Sequence, residues 1–128
     1  MTTSPLLRRY LLVDACFALA GGLLYVFLFN FLITTLGLPE ELARFQLTAN
    51  WVYAGMGFFF FFRRPEQTAR ALALIARMNL AYSGVCGLAG VWLLATTRPW
   101  GTALLFAEGL GIAGLALMER RALAREMP

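Results

Sequence analysis

Four apolar blocks, each close in length to the hydrocarbon thickness of a bilayer, dominate this 128-residue chain and restrict what it can fold into. A helix needs about 20 mostly apolar residues to cross a core roughly 30 Å thick. Tyr10 to Leu36, Phe45 to Phe62, Ala71 to Ala95 and Thr102 to Met118 meet that need. Between them stand short polar connections: Gly37-Leu38-Pro39-Glu40-Glu41, Arg63-Arg64-Pro65-Glu66 and Thr96-Thr97-Arg98-Pro99-Trp100-Gly101. Apolar residues make up 60% of the chain and charged ones 14%, against about 25% charged in an ordinary soluble domain. A water-soluble core of this size cannot hide such blocks. Four strands cannot close a barrel, so the spans must be helical. The expected fold is all-α: one domain over 1–128, a four-helix up-down-up-down transmembrane bundle, with 119–128 as a cytoplasmic tail.

The first block superficially resembles a signal peptide, with Arg8-Arg9 before an apolar run and Ala18-Leu19-Ala20 after it. Asp14 interrupts that run, however, and it continues through Ile33, so it reads as a span. The arginines set its direction. Arg8, Arg9, Arg63, Arg64, Arg70, Arg77, Arg120, Arg121 and Arg125 fall on one side, and Arg44 and Arg98 on the other. By the positive-inside rule the N-terminus, the middle connection and the C-terminus are cytoplasmic. Trp51, Trp92 and Trp100 then fall toward the outer interface and Tyr10 at the inner one.

The net charge of +4 comes entirely from arginine, since there is no lysine and no histidine. These arginines flank apolar blocks, where they meet anionic headgroups. No basic groove or motif points to nucleic acid. Lack of histidine removes His-based metal sites, haem ligation and triads. Cys16 and Cys86 are far apart inside apolar blocks, so they read as small hydrophobes rather than a metal or redox pair. No metal and no cofactor is implied.

Helices in lipid associate by close packing and hydrogen bonds, and small residues mark the contact faces. Candidates are Ala18, Gly21 and Gly22 on the first helix, and Ala54 and Gly57 on the second. The third offers Ser83, Cys86 and Gly90 with Gly84 and Gly87 beside them; the fourth offers Ala103, Ala107, Gly111 and Gly114. A faint parallel repeat also aligns Asp14–Gly21 with Arg77–Gly84.

Polar residues inside spans are functional candidates by default. Depth sorts them into an inner layer of Asp14, Arg77 and Asn79 and an outer layer of Asn30, Asn50, Tyr53 and Glu108. In the inner layer an Asp14–Arg77 pair would fix helix register, or the two side chains would snorkel to the cytoplasmic surface; the functional reading is a proton or cation relay. Glu108 is too deep to reach water easily and must be protonated, hydrogen-bonded to Asn50 or Tyr53 (which share a face with Ala54 and Gly57), or facing a wet cavity. The run Phe58, Phe59, Phe60, Phe61 and Phe62 covers every face of its helix and is a candidate partner surface.

Leu7-Arg8-Arg9, Asp14-Ala15, Gly21-Gly22, Leu36-Gly37-Leu38-Pro39 and Asn79-Leu80-Ala81-Tyr82-Ser83 carry a resemblance. The chain resembles the small four-helix bacterial inner-membrane proteins, loosely DoxX-like in size and topology. That resemblance implies a bacterial cytoplasmic-membrane location and carries over no catalytic residue. Small multidrug-resistance transporters also have an acidic residue in the first helix, but their Trp and Tyr pattern is not matched. Vitamin K epoxide reductase-like enzymes need a C-x-x-C that is absent here.

Three functional readings follow. The first is a non-catalytic accessory subunit that packs with itself or a larger membrane complex. The second is a small homodimeric carrier, proton-coupled through Glu108 or Asp14. The third is a binder of a lipid-like or quinone-like molecule. The bilayer is the expected partner in all of them.

Overall fold

A computed structural model describes residues 4–94 and 99–127. Among them the chain is helical throughout, without strands: α1 (Pro5–Phe27), α2 (Phe29–Thr34), α3 (Glu40–Arg63), a 3-10 turn (Pro65–Gln67), α4 (Thr68–Leu93) and α5 (Pro99–Glu126). Ala95, where the third span was expected to end, and Thr96-Thr97-Arg98 of the last connection lie outside the described residues.

Local chemistry sets the ends. Ser4 precedes Pro5 and its hydroxyl accepts the Leu7 amide at 3.5 Å, a serine cap with proline at the first helical position. The expected first span is interrupted at Leu28, which leaves helical ψ, although the ladder persists through Leu28 N to Leu24 O and Leu32 N to Leu28 O. Gly37 then stops the helix with φ 73°, and the Leu38 amide returns to the Leu32 carbonyl at 3.1 Å. This is a glycine-terminated C-cap, which needs a residue without Cβ. Helix α3 starts one turn earlier than its apolar block because Glu40 and Glu41 favour an N-terminal turn. Helix α5 runs well past Met118: Glu119, Arg120, Arg121, Ala122 and Leu123 are good helix formers, and the expected tail continues the helix to Glu126.

Among the described residues three helices are long and apolar enough to cross a membrane: Pro5–Phe27, the Pro65–Leu93 stretch and Pro99–Glu126. Helix α3 is equally long, but Glu40, Glu41, Arg44, Gln46 and Asn50 make its first half polar.

The long helices form two antiparallel hairpins. In one, α1 meets α3, with Gly57 facing Ala15 so closely that a Cβ there would stand 2.7 Å from the Ala15 Cβ. Further along, Gly21 and Gly22 face Asn50 and Trp51. In the other, α4 meets α5, with Gly109 against the Ser83 carbonyl and Cys86, and Gly90 against Phe106. Gly84 and Gly87 differ from expectation, because a Cβ on either meets nothing within 4 Å. The hairpins join through two apolar clusters. Leu7, Leu11, Leu72, Ile75 and Ala122 close the end that carries the termini, and Tyr25, Leu32, Leu38, Leu93 and Leu105 close the other.

The distribution of polarity is inverted relative to a soluble protein. Phe17, Phe27, Leu88, Trp92 and Leu110 are exposed on the outside, while Gln46 and Glu119 are fully buried. An apolar exterior around polar interior groups is what an apolar solvent selects.

Candidate functional site

Each long helix sends polar side chains inward at two levels. At the upper level Glu108 of α5 is the hub. Tyr25 of α1 donates its hydroxyl to Oε2 at 2.8 Å, Gln46 of α3 donates Nε2 to the same oxygen at 2.9 Å, and Tyr82 of α4 donates to Oε1 at 2.8 Å. Three donors from three helices thus converge on one carboxyl and cross-brace both hairpins. Cys86 lies beneath, 3.9 Å from Gln46 Nε2. The ring of Tyr82 stacks on Phe45 and meets Tyr53 edge-on, both at 6.1 Å between centroids.

The lower level is about 16 Å further along α5. Here Asn79 Nδ2 of α4 donates to Asp14 Oδ1 of α1 at 2.8 Å. Glu119 of α5 faces both of them. Asp14 is 3% exposed and Glu119 0%, yet Asp14 Oδ2 and both Glu119 oxygens receive no hydrogen bond. Tyr53 of α3 stands beside this level and donates its hydroxyl to the Met78 carbonyl at 3.2 Å. The Glu108 carboxyl is thus supplied with donors on both oxygens while the lower carboxyls are short of them, although Gln46 Oε1 of the upper level is also buried without a partner.

Both levels border one cleft of about 880 Å³ between α1 and α5. Asn50, Tyr53, Asn79 and Tyr82 form its floor, and Asp14 and Glu108 are its acidic groups. Its walls are apolar, including Val13, Phe17, Leu110, Ile112 and Leu115. Gly111 and Gly114 also line it, and a Cβ on either meets nothing. The small-residue stripe of α5 therefore widens the cleft at these positions instead of packing against a helix. Phe17, Leu110 and Met118 on the lips are exposed, so the cleft opens on the apolar flank of the molecule. Arg9 and Tyr10 stand at the terminal end of the cleft.

Placement of the expected residues is mixed. Asp14, Asn79, Asn50, Tyr53 and Glu108 come together around the cleft. Glu108 takes its bonds from Tyr25, Gln46 and Tyr82 and not from Asn50 or Tyr53; Asn50 instead donates to the Gln46 carbonyl at 2.9 Å. Arg77 does not pair with Asp14. Two residues are about 200° of helical rotation, so turning Asn79 inward leaves Arg77 on the exposed face. Asn30 is exposed as well. The phenylalanine run divides: Phe60 and Phe61 pack on the cluster near the termini, Phe58 stacks with Phe62 at 6.3 Å, and Phe59 and Phe62 are exposed. Arg8 lies 4.6 Å above the Phe61 ring. Among the described residues no group of His, Cys, Asp and Glu is arranged to hold a metal ion.

Sequence reasoning missed Tyr25, Gln46, Tyr82 and Glu119 as site residues. One signal was present. Asp14 and Tyr25, like Glu108 and Glu119, are separated by three turns, about eleven residues, and so share a face. Comparison with protein-family models, curated proteins and solved structures finds no match for the chain.

Proposed function

We propose that this chain is a four-span membrane protein that draws an amphipathic, lipid-like molecule from the bilayer into the cleft between α1 and α5. In this reading α3 is the fourth span, its polar residues turned toward the interior. The arginine distribution puts the N-terminus, the α3–α4 turn and the C-terminus in the cytoplasm, and the family resemblance points to a bacterial cytoplasmic membrane.

One observation carries the reading: a cleft of about 880 Å³ with apolar walls, lined by the buried Asp14 carboxyl and the half-buried Glu108 carboxyl. Ligand sites are typically apolar clefts of about 300–1,000 Å³ with a few convergent polar groups. The exposed lips at Phe17, Leu110 and Met118 provide entry from the side, with the apolar body of the ligand along the walls and its polar end at the floor. An accessory subunit that acts only through helix packing has no use for such a cleft. The saturated environment of Glu108 supports a bracing role for it and leaves Asp14 as the acidic group available to a ligand.

Gly111→Trp tests the proposal, because the new side chain starts in open space and fills the cleft without displacing a helix. Native mass spectrometry of protein gently extracted from its host membrane should show a retained small-molecule adduct on the wild type and its loss from the variant. Identical adducts on both proteins would count against the cleft as the binding site.

A further inference from the structure

We infer that the molecule taken into the cleft is a lipophilic organic monocation, and that it binds at Asp14 in exchange for a proton. This rests on the binding role of the cleft and adds the charge of the ligand and its coupling. The lower polar level supplies the argument. Asp14 lines the cleft at 3% exposure with Oδ2 unpartnered, and Glu119 stands behind it at 0% with both oxygens unpartnered. Buried acceptors without donors are costly, and two facing carboxylates repel. A proton between the carboxyls relieves both conditions, and so does a cation placed against Oδ2. The site accommodates one or the other.

The surroundings favour a cation that has an apolar body. Asp14 meets Glu119 from α5 and Asn79 from α4, and Tyr53 of α3 lines the same cleft; on its own helix Arg9 and Tyr10 stand further along it. Arg77 is turned outward. Among the described residues no guanidinium is ion-paired with Asp14 or Glu119. Tyr53 and Tyr82 border the same space, and aromatic rings attract organic cations. Glu108 adds a second acidic group to the cleft lining. An anion would meet acidic groups on the floor and Arg9 only at the end.

The exchange balances as follows. The empty Asp14–Glu119 pair holds one proton; the entering monocation takes its place, the proton leaves to solvent, and the charge of the site is unchanged. Since the two compete, cation affinity rises with pH and falls about tenfold per unit on the acid side, where one proton competes.

The test uses tetraphenylphosphonium and tetraphenylborate, ions of matched shape, opposite sign and pH-independent charge, titrated onto the full chain in nanodiscs of neutral lipid. Wild type should bind the phosphonium at least about tenfold more tightly than the borate, a difference of about 1.4 kcal/mol. It should also release close to one proton per cation into weakly buffered solution. Asp14→Asn should lose both the preference and the proton release. Arg77→Gln, on the outward face of α4, should behave as wild type. Equal binding of the two ions, cation binding without proton release, or full coupling in folded Asp14→Asn would overturn the inference. Gly111→Trp separates the two levels of the account. If it blocks both ions equally while wild type shows no preference, the cleft binds ligands but the charge assignment is wrong. If it blocks neither, the cleft reading fails and the inference with it.

Discussion

A single carboxyl holding donors from three helices makes Glu108 the residue on which the interior is organised. Side-chain hydrogen-bond networks that join several helices rigidify an interior. Here Tyr25, Gln46 and Tyr82 occupy both oxygens of Glu108. Removing one donor leaves the others in place, and interhelical hydrogen bonds in membranes are individually modest. Tyr82→Phe and Tyr25→Phe should therefore each destabilise the protein by about 1–2 kcal/mol, read as a lowered unfolding midpoint in detergent. Tyr53→Phe, which loses only a hydroxyl bond to a backbone carbonyl, should cost less than either. The sequence disclosed part of this organisation. Glu108, Asp14 and Asn79 stood out because ionisable and amide groups are rare in spans. Gln46, Tyr25 and Tyr82 did not stand out, because an amide near the polar start of its helix and a phenol reveal their roles only through their partners. Glu119 followed the last apolar block and was assigned to a tail, although helix propensity continues unbroken through it.

Among the elements, glycine separates the contacts that hold the hairpins from the surfaces that line the cleft. The α1–α3 crossing depends on Gly57, where any side chain meets Ala15, backbone included. Gly57→Leu should force these helices apart and lower the unfolding midpoint strongly, whereas Gly84→Leu should be close to neutral because it faces open space. Equal effects of the two would contradict the crossing described. Small-residue spacing alone does not draw this distinction: Gly57, Gly84 and Gly111 look alike in the chain, and only the position of the neighbouring helix separates a packed face from an open one. Helix positions were more accessible, since block length and the Gly37 and Pro65 punctuation located the long helices to within a turn or two at most ends. The break at Leu28 carried no local signal, having neither proline nor glycine.

For the whole molecule, the inverted pattern of an apolar exterior and polar interior unites the membrane reading with the cleft. The orientation proposed above predicts which ends face which compartment. In a background with Cys16 and Cys86 replaced by serine, a cysteine at Glu41 should react with an impermeant maleimide added outside intact cells. A cysteine at Glu66 should react only after the membrane is opened. The reverse pattern would invert the topology, and labelling of both from outside would remove α3 as a span. The central claim, that the cleft between α1 and α5 receives a particular lipid-like molecule, is tested most directly by photo-crosslinking in the host membrane. A benzophenone amino acid placed at Gly111 lies in the cleft; one at Gly84 starts in open space on α4, away from the cleft lining. The account predicts that Gly111 captures a discrete amphipathic molecule that is scarce or absent at Gly84. The same bulk phospholipid profile at both positions would contradict it.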